Sequence, residues 1–483
     1  MEEKQMRPIW QWSAVETADA IRASQLTSQE VVIAHVERMR AVNPAINAIT
    51  VDLGEEAKIQ AQKADKSLAN GEQIGPLHGV PITLKHNVDV QGQANSSGVP
   101  ALRKNVAREN HPVVDHFAKA GAIVIGLTNT PEFSFRAFTD NPLFGLTRNP
   151  WDRDITCGGS SGGAGAAVAA GIGTIAHGND IGGSLRFPAH FNGVVTMRPT
   201  LGRVPHYNAT ATAERPIGMQ LFSVQGPLAR TVADVRLALD IMSARDPRDP
   251  WWTPAKLGSE TQTLPIRVAR AKIDPDMNAS PRIVEEIDKA ASWLEAEGYQ
   301  VDEVEVPSVL ACWENWWNII FTEMFVLLKD NMLANASDDF ARVFSHYQSF
   351  AETLDLPGYM TALAQRSAHL REWLVFLEEY PVVLAPTFAG RSPSPTADVE
   401  NAEQTRTIFR NGSRYIGIAN YLGLPAAVVP TGLIGDHPAS VQLIGSRYSE
   451  RTILDAADAI EKHAGILTRR LWRREDENEQ FSG

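Results

Sequence analysis

The chain has 483 residues, 43% hydrophobic and 21% charged, with a formal net charge of -12. This ordinary globular balance excludes global disorder. The acidity argues against a nucleic-acid binder, because affinity for a phosphate backbone needs clustered Lys and Arg. Two cysteines, Cys157 and Cys312, cannot build a disulfide framework or a structural zinc site. The N-terminal MEEKQMRPIWQW lacks a signal-peptide core, and Ala164 to Ala176 is too short and too Gly-interrupted to span a bilayer. The expectation is a cytoplasmic protein that touches no membrane and carries no metal or cofactor.

Residues 14–42 predict two amphipathic helices broken near Ser24–Ser28, the second opened by the capping run Thr27-Ser28-Gln29-Glu30. A charged helix follows over about 54–69. Val80–Leu84 reads as a strand ending in Lys85, and Ile123–Leu127 as another strand behind a helix at 112–120. Residues 164–171 (AGAAVAAG) read as a buried helix whose small side chains let neighbouring backbones come close. Further α/β units fall at 266–270 with 281–297, at 381–387, and at 424–430 with 440–445 and 451–463. The segment 309–376 is helical in pattern and rich in aromatic residues, Trp313, Trp316, Trp317, Phe321, Phe325 and Trp373 among them. The tail after about 470 (RREDENEQFSG) is expected to fray. Helices alternating with strands predict the α/β class. No repeat and no long Pro/Ser linker divides the chain, so one large domain is favoured over several.

Ten of the 35 glycines lie between Gly158 and Gly183, and from Ile155 to Leu185 the only charged residue is Asp180. Gly158-Gly159-Ser160-Ser161-Gly162 satisfies the G-x-S-x-G pattern. A nucleophile elbow needs an apolar strand directly before it, and the turn-like NPWDRDITC stands there instead. No Walker-type phosphate loop and no H-E-x-x-H is present. What remains is two Gly-Ser segments and one lysine, each with an ordinary structural role open to it. Ser160 or Ser161 could cap the helix at 164–171, Ser184 could cap the segment before Pro188, and Lys85 could snorkel from a strand end. Together they supply a base, a relay and a nucleophile. A lysine buried where charge is scarce loses its proton more readily, because desolvation disfavours the ammonium. The backbone of Ile181-Gly182-Gly183-Ser184 offers consecutive N–H groups with little side chain in the way, as a backbone oxyanion hole requires.

The run CGGSSGGAGAAVAAGIGTIAHGNDIGGSLRFPAHFNGVVTMRPTLGRV resembles the signature of the amidase signature family of serine hydrolases. The likeness extends to GPLHGVPITLKHNVDV, to VIGLTNTPEFSFRAFTDNPLFGLTRNPWD and to NYLGLPAAVVPTG with VQLIG. The resemblance implies a mixed, twisted central β-sheet surrounded by helices. It implies one amidase domain over 1–483, with a signature core at 75–235 and a variable helical segment on the substrate side at 305–380. Carried over by position, it makes Ser184 the nucleophile, Ser160 a bridging serine on a cis peptide bond, and Lys85 the base. The oxyanion hole falls on Ile181, Gly182, Gly183 and Ser184, with Ser161, Asp180 and Arg186 supporting the loop. Phe133, Ser134, Phe135 and Trp316 are the expected substrate contacts; core packing or an interface in a homodimer is the competing role for the tryptophans. The implied partner is a small-molecule amide, with esters and carbamates also within reach. His86, Asn179 and Met197-Arg198 depart from the usual pattern and leave the triad intact. A glutaminase subunit of a tRNA-dependent amidotransferase is the alternative; Phe187 stands where such subunits usually carry Gln, and VPHYNATATAERPIG replaces their Ser-Arg-Tyr-Gly run.

Overall fold

A computed structural model describes residues 7–255 and 265–481, with side chains through residue 477. The alternation read from the sequence folds into one mixed sheet flanked by helices. Its strands, in chain order, are β1 (Ile49–Asp52), β2 (Pro81–Lys85), β3 (Ile123–Thr128), β4 (Ile175–Asp180), β5 (Val195–Arg198) and β6 (Val224–Ala229), then β7 (Arg267–Ala271), β8 (Gln300–Val304), β9 (Val382–Pro386), β10 (Ala426–Ile434) and β11 (His437–Gly445). Across the sheet the order is β1-β3-β2-β4-β6-β5-β10-β11-β9-β7-β8. Two parallel groups, β3-β2-β4 and β9-β7-β8, are joined through antiparallel pairs. Strands β2 and β9 are buried along their whole length, as strands covered on both faces must be. That is why both read as continuous apolar runs.

The register of the first parallel group places the chemistry. Thr83 of β2 lies opposite Ala176 of β4, so two residues further along Lys85 comes level with Gly178 and Asn179. Both strands end there, and the C-terminal edge of parallel strands is where α/β sheets place ligands. Between them in sequence runs the helix Gly162–Ala169, every residue of it buried. Small residues permit this approach: a Cβ on Gly159, just before the helix, would stand 2.5 Å from Phe138 N. A helix ending in the interior leaves carbonyls that need donors. Four distant side chains supply them. Arg230 Nη1 donates to Val168 O (3.3 Å), Trp472 Nε1 to Ala169 O (2.8 Å) and Arg38 Nε to Ala170 O (2.8 Å), while His35 Nδ1 lies 3.2 Å from Gly171 O.

Trp472 also corrects an expectation. The tail does not fray after residue 470; Thr468–Phe481 is a helix. Leu471 and Trp472 are buried, Trp472 packs edge-on against Trp10 at 5.2 Å, and Glu475 pairs with Arg38. Among the described side chains, the charges of residues 473–477 lie on the outward side of this docked helix. The other predicted helices and strands agree to within a few residues, and no described helix is long and apolar enough to cross a membrane.

Candidate active site

Lys85 is fully buried at the end of β2, with Nζ 2.7 Å from Ser160 Oγ and 2.7 Å from Asn179 Oδ1. It does not snorkel. Burial pushes its pKa well below the ordinary lysine value, and the more distant Asp180 opposes this only in part. Asn179 Nδ2 donates to Asn87 Oδ1 (3.0 Å), and Asn87 Nδ2 to Ser134 Oγ (2.9 Å), which fixes the amide that faces the lysine. The Gly159–Ser160 peptide is cis. Ser161 occupies the N-cap position of the helix, but its side chain does not cap it; its hydroxyl donates to Asn179 O (3.3 Å). Its amide donates to Ser184 O (3.2 Å), so the lysine-bound serine and Ser184 hang on directly bonded neighbours. Among the described residues, the Ser184 hydroxyl has no intramolecular partner. Such contacts often tighten only around a bound substrate.

Asp180 organises the turn that follows β4. Its carboxylate accepts from Gly183 N (2.9 Å) and Leu185 N (3.1 Å), from Arg186 Nε and Nη2 (3.0 Å each) and from Asn420 Nδ2 (2.8 Å). Burial alone would raise its pKa; Arg186, with Arg198 and Asn420, outweighs this and holds it well below the usual carboxylate range. Arg186 is equally buried and also reaches Ile416 O and Gln442 Oε1. A buried ion pair persists when its remaining donors and acceptors are satisfied in this way. The Gly183 amide, expected among the oxyanion donors, is therefore directed to Asp180. Ile181, Gly182 and Ser184 are the amides that remain for a ligand. Trp316 Nε1 donates to Ile181 O (3.0 Å). The indole lies so close that a Cβ on Gly182 would meet Trp316 Cζ2 at 2.6 Å.

Beside Ser184 opens a narrow cavity walled by Phe135, Trp316, Trp317, Phe321, Tyr347 and Phe409. Trp317 packs on Phe321 at 4.2 Å and on Phe409 at 5.3 Å. The wall is pinned by the buried pair Arg136–Asp398 (2.8 Å). Ser134 and Phe135 line this chamber and also a second, more polar cavity. Phe133 lines only the second, leaning on Phe340 at 5.1 Å. The sequence reading missed Asn87 as a partner of Asn179, and it missed Tyr347 and Phe409; lone amides and rings carry no spacing signal. His86, which stands in a departed position, turns away from Lys85: its ring nitrogens lie 2.9 Å from Thr50 Oγ1 and 2.7 Å from Ala94 O.

Residues 30–454 match the family model described as Amidase. The chain is 56% identical over 469 residues to an indoleacetamide hydrolase of Bradyrhizobium diazoefficiens, covering 97% of this chain and 90% of that protein. It is 30% identical over 511 residues to a glutamyl-tRNA(Gln) amidotransferase component from Moorella thermoacetica, covering 96% and 98%. Among solved structures, a bacterial aryl acylamidase of the amidase signature enzymes superposes with a TM-score of 0.81 at 26% identity, covering 96% of this chain and 98% of that one.

Proposed function

Because the chain belongs to the amidase signature family and is an amidase, we propose that it hydrolyses the carboxamide of an arylacetamide, indoleacetamide being the model. The observation that carries this is the buried Lys85–Ser160 contact (2.7 Å), held beside Ser184 at the mouth of an aromatic chamber. Neutral Lys85 takes the Ser160 proton as Ser160 takes that of Ser184, and Ser184 Oγ attacks the carbonyl carbon. The amides of Ile181, Gly182 and Ser184 receive the oxyanion. The C=O and N–H of one trans peptide point in opposite directions. By donating to Ile181 O, Trp316 thus holds the Gly182 N–H toward the reacting oxygen. The proton returns through Ser160 to the leaving nitrogen, ammonia departs, and water releases the acid from Ser184.

The aryl group rests against Phe135, Trp317 and Phe321, while Phe133 and Ser134 steady that wall from the other side. The likeness to an amidotransferase component is the more distant one and does not alter this reading. A cytoplasmic setting agrees with the free, buried thiols of Cys157 and Cys312. A homodimer is supported by the exposed apolar side chains of Val326, Leu327, Leu356 and Met360.

Ammonia release from indoleacetamide and phenylacetamide tests the proposal. Ser184→Ala is expected to abolish release, by roughly 10^4-fold or more, together with labelling by a fluorophosphonate. Full turnover in that variant would overturn the assignment.

A further inference from the structure

The second cavity, of about 720 Å3, shares Ser134, Phe135 and Ile181 with the aromatic chamber and reaches Ser160 and Asn179. Ser184 faces one space and its relay serine the other. An amide that crosses Ile181 with its acyl half among the aromatic rings therefore directs any substituent on its nitrogen into this second space.

The chemistry of that space is distinctive. The chain carries 57 acidic against 45 basic residues, yet no Asp or Glu lines this cavity, whereas Lys104 and Arg215 do, together with Asn87, Asn208 and Gln225. The nearby carboxylates are engaged elsewhere. Asp89 accepts from Asn95 Nδ2 (2.7 Å) and from Thr210 N (2.9 Å) and Oγ1 (2.6 Å). Asp249 accepts from His206 N (2.8 Å) and Trp251 N (2.8 Å). Asp249 and Glu214 line the neighbouring cavity, which Arg215 also borders. They attract Arg215 only from a distance; among the described residues no carboxylate lies within ion-pair reach of its guanidinium. Arg215 sits on the run VPHYNATATAERPIG, which Asn208 ties to the site by donating to Asn87 O (3.0 Å) and accepting from Asp89 N (3.0 Å). A guanidinium fork without a carboxylate, in a cleft walled by amides, matches a carboxylate ligand in charge and shape.

We infer that this cavity receives the carboxylate of an amino acid, and that N-arylacyl amino acids are a second substrate class. The inference rests on the amidase reading above and extends it to the leaving half. The bond from Ser184 Oγ to the acyl carbon forms and the C–N bond breaks. The relayed proton goes to the α-nitrogen, and the amino acid leaves with its carboxylate on Arg215. Water then gives its hydroxyl to the acyl carbon and a proton to Ser184 Oγ, so no other reactant is needed.

The experiment compares three substrates sharing one acyl group: phenylacetamide, N-ethylphenylacetamide and N-phenylacetylglycine. The glycine conjugate is expected to exceed the neutral N-ethyl amide in kcat/KM by about tenfold or more, the worth of a hydrogen-bonded charge. Arg215→Gln is expected to remove that margin through KM while phenylacetamide turnover stays within about twofold. A glycine conjugate cleaved no faster than the N-ethyl amide by the unsubstituted enzyme overturns the inference whatever the variant does. So does an Arg215→Gln variant in which both N-substituted amides fall alike. Failure of the unsubstituted enzyme on phenylacetamide and indoleacetamide would instead strike the underlying amidase reading.

Discussion

Two stretches meet at the site and are built on opposite principles. From Gly158 to Arg186 the hydroxyls of Ser160 and Ser184 are set among main-chain groups: the amides at 181, 182 and 184 of the proposed oxyanion site, the Ser184 carbonyl held by Ser161 N, and a single buried carboxylate that fixes the turn. From Val309 to Phe350 the working groups are rings, with Trp317 touching Phe321, Tyr347, Phe350 and Phe409. Main-chain machinery depends on the order of adjacent residues, so it tolerates little change and leaves a run of Gly and Ser. A wall of rings depends on volume and shape, which many sequences supply. The contrast separates how the bond is broken from which bond is chosen. Trp316 belongs to both, since its ring walls the chamber and its N–H holds Ile181 O.

The sharpest way to break this division starts with Lys85→Ala, which removes the amine that reaches the first stretch at Ser160 and should lower kcat by roughly 10^3-fold while leaving KM nearly unchanged. The same residue sets the pH dependence. Its pKa is depressed by burial, and only the neutral amine serves as base. Activity should therefore fall as acid protonates it, at a pH well below that at which an ordinary lysine titrates; a rate that is highest in acid would contradict this. Next in size, Asp180→Asn strands the buried Arg186 and should cost about 3–5 kcal/mol of stability, read as a lowered denaturation midpoint with an unchanged slope. The smallest effect is the most telling for the comparison. Trp316→Phe keeps an aromatic ring, though a smaller one, and loses the N–H, so kcat should drop about tenfold, less than deletion of an oxyanion donor costs. Should KM rise instead with kcat intact, Trp316 would belong to the chamber wall alone.

Much of the fold was legible because periodicity and burial agree. The helix Gly54–Ala69 and the strand Pro81–Lys85 fall where the pattern places them. β6 was missed because its VQGPLA holds Gly and Pro, which break a strand signal. β8 was missed because QVDEV is an edge strand carrying charge. Within the site, Lys85, Ser160 and Ser184 were legible through their glycine-rich setting. Asn87 and Asn179 were not, since an amide gains its meaning only from the partner that chain folding brings to it. Gly183 shows the same limit: its place in the motif suggested an oxyanion donor, but Asp180, three residues earlier, accepts its hydrogen.

The buried end of the helix Gly162–Ala169 carries a consequence for synthesis. Its last carbonyls draw donors from Arg38, Arg230, Trp472 and the neighbourhood of His35. The chain is made from its first residue onward, so these donors arrive in order and the indole of Trp472 arrives last. Until it emerges, Ala169 O lacks its indole donor at a buried position, a deficit of about 1–3 kcal/mol. The helix that begins beside Ser160 and Ser161 is thus sealed by a residue 303 positions beyond Ala169. A chain cut short before Trp472 carries its defect at the end of a buried helix, and not at the edge where it was cut.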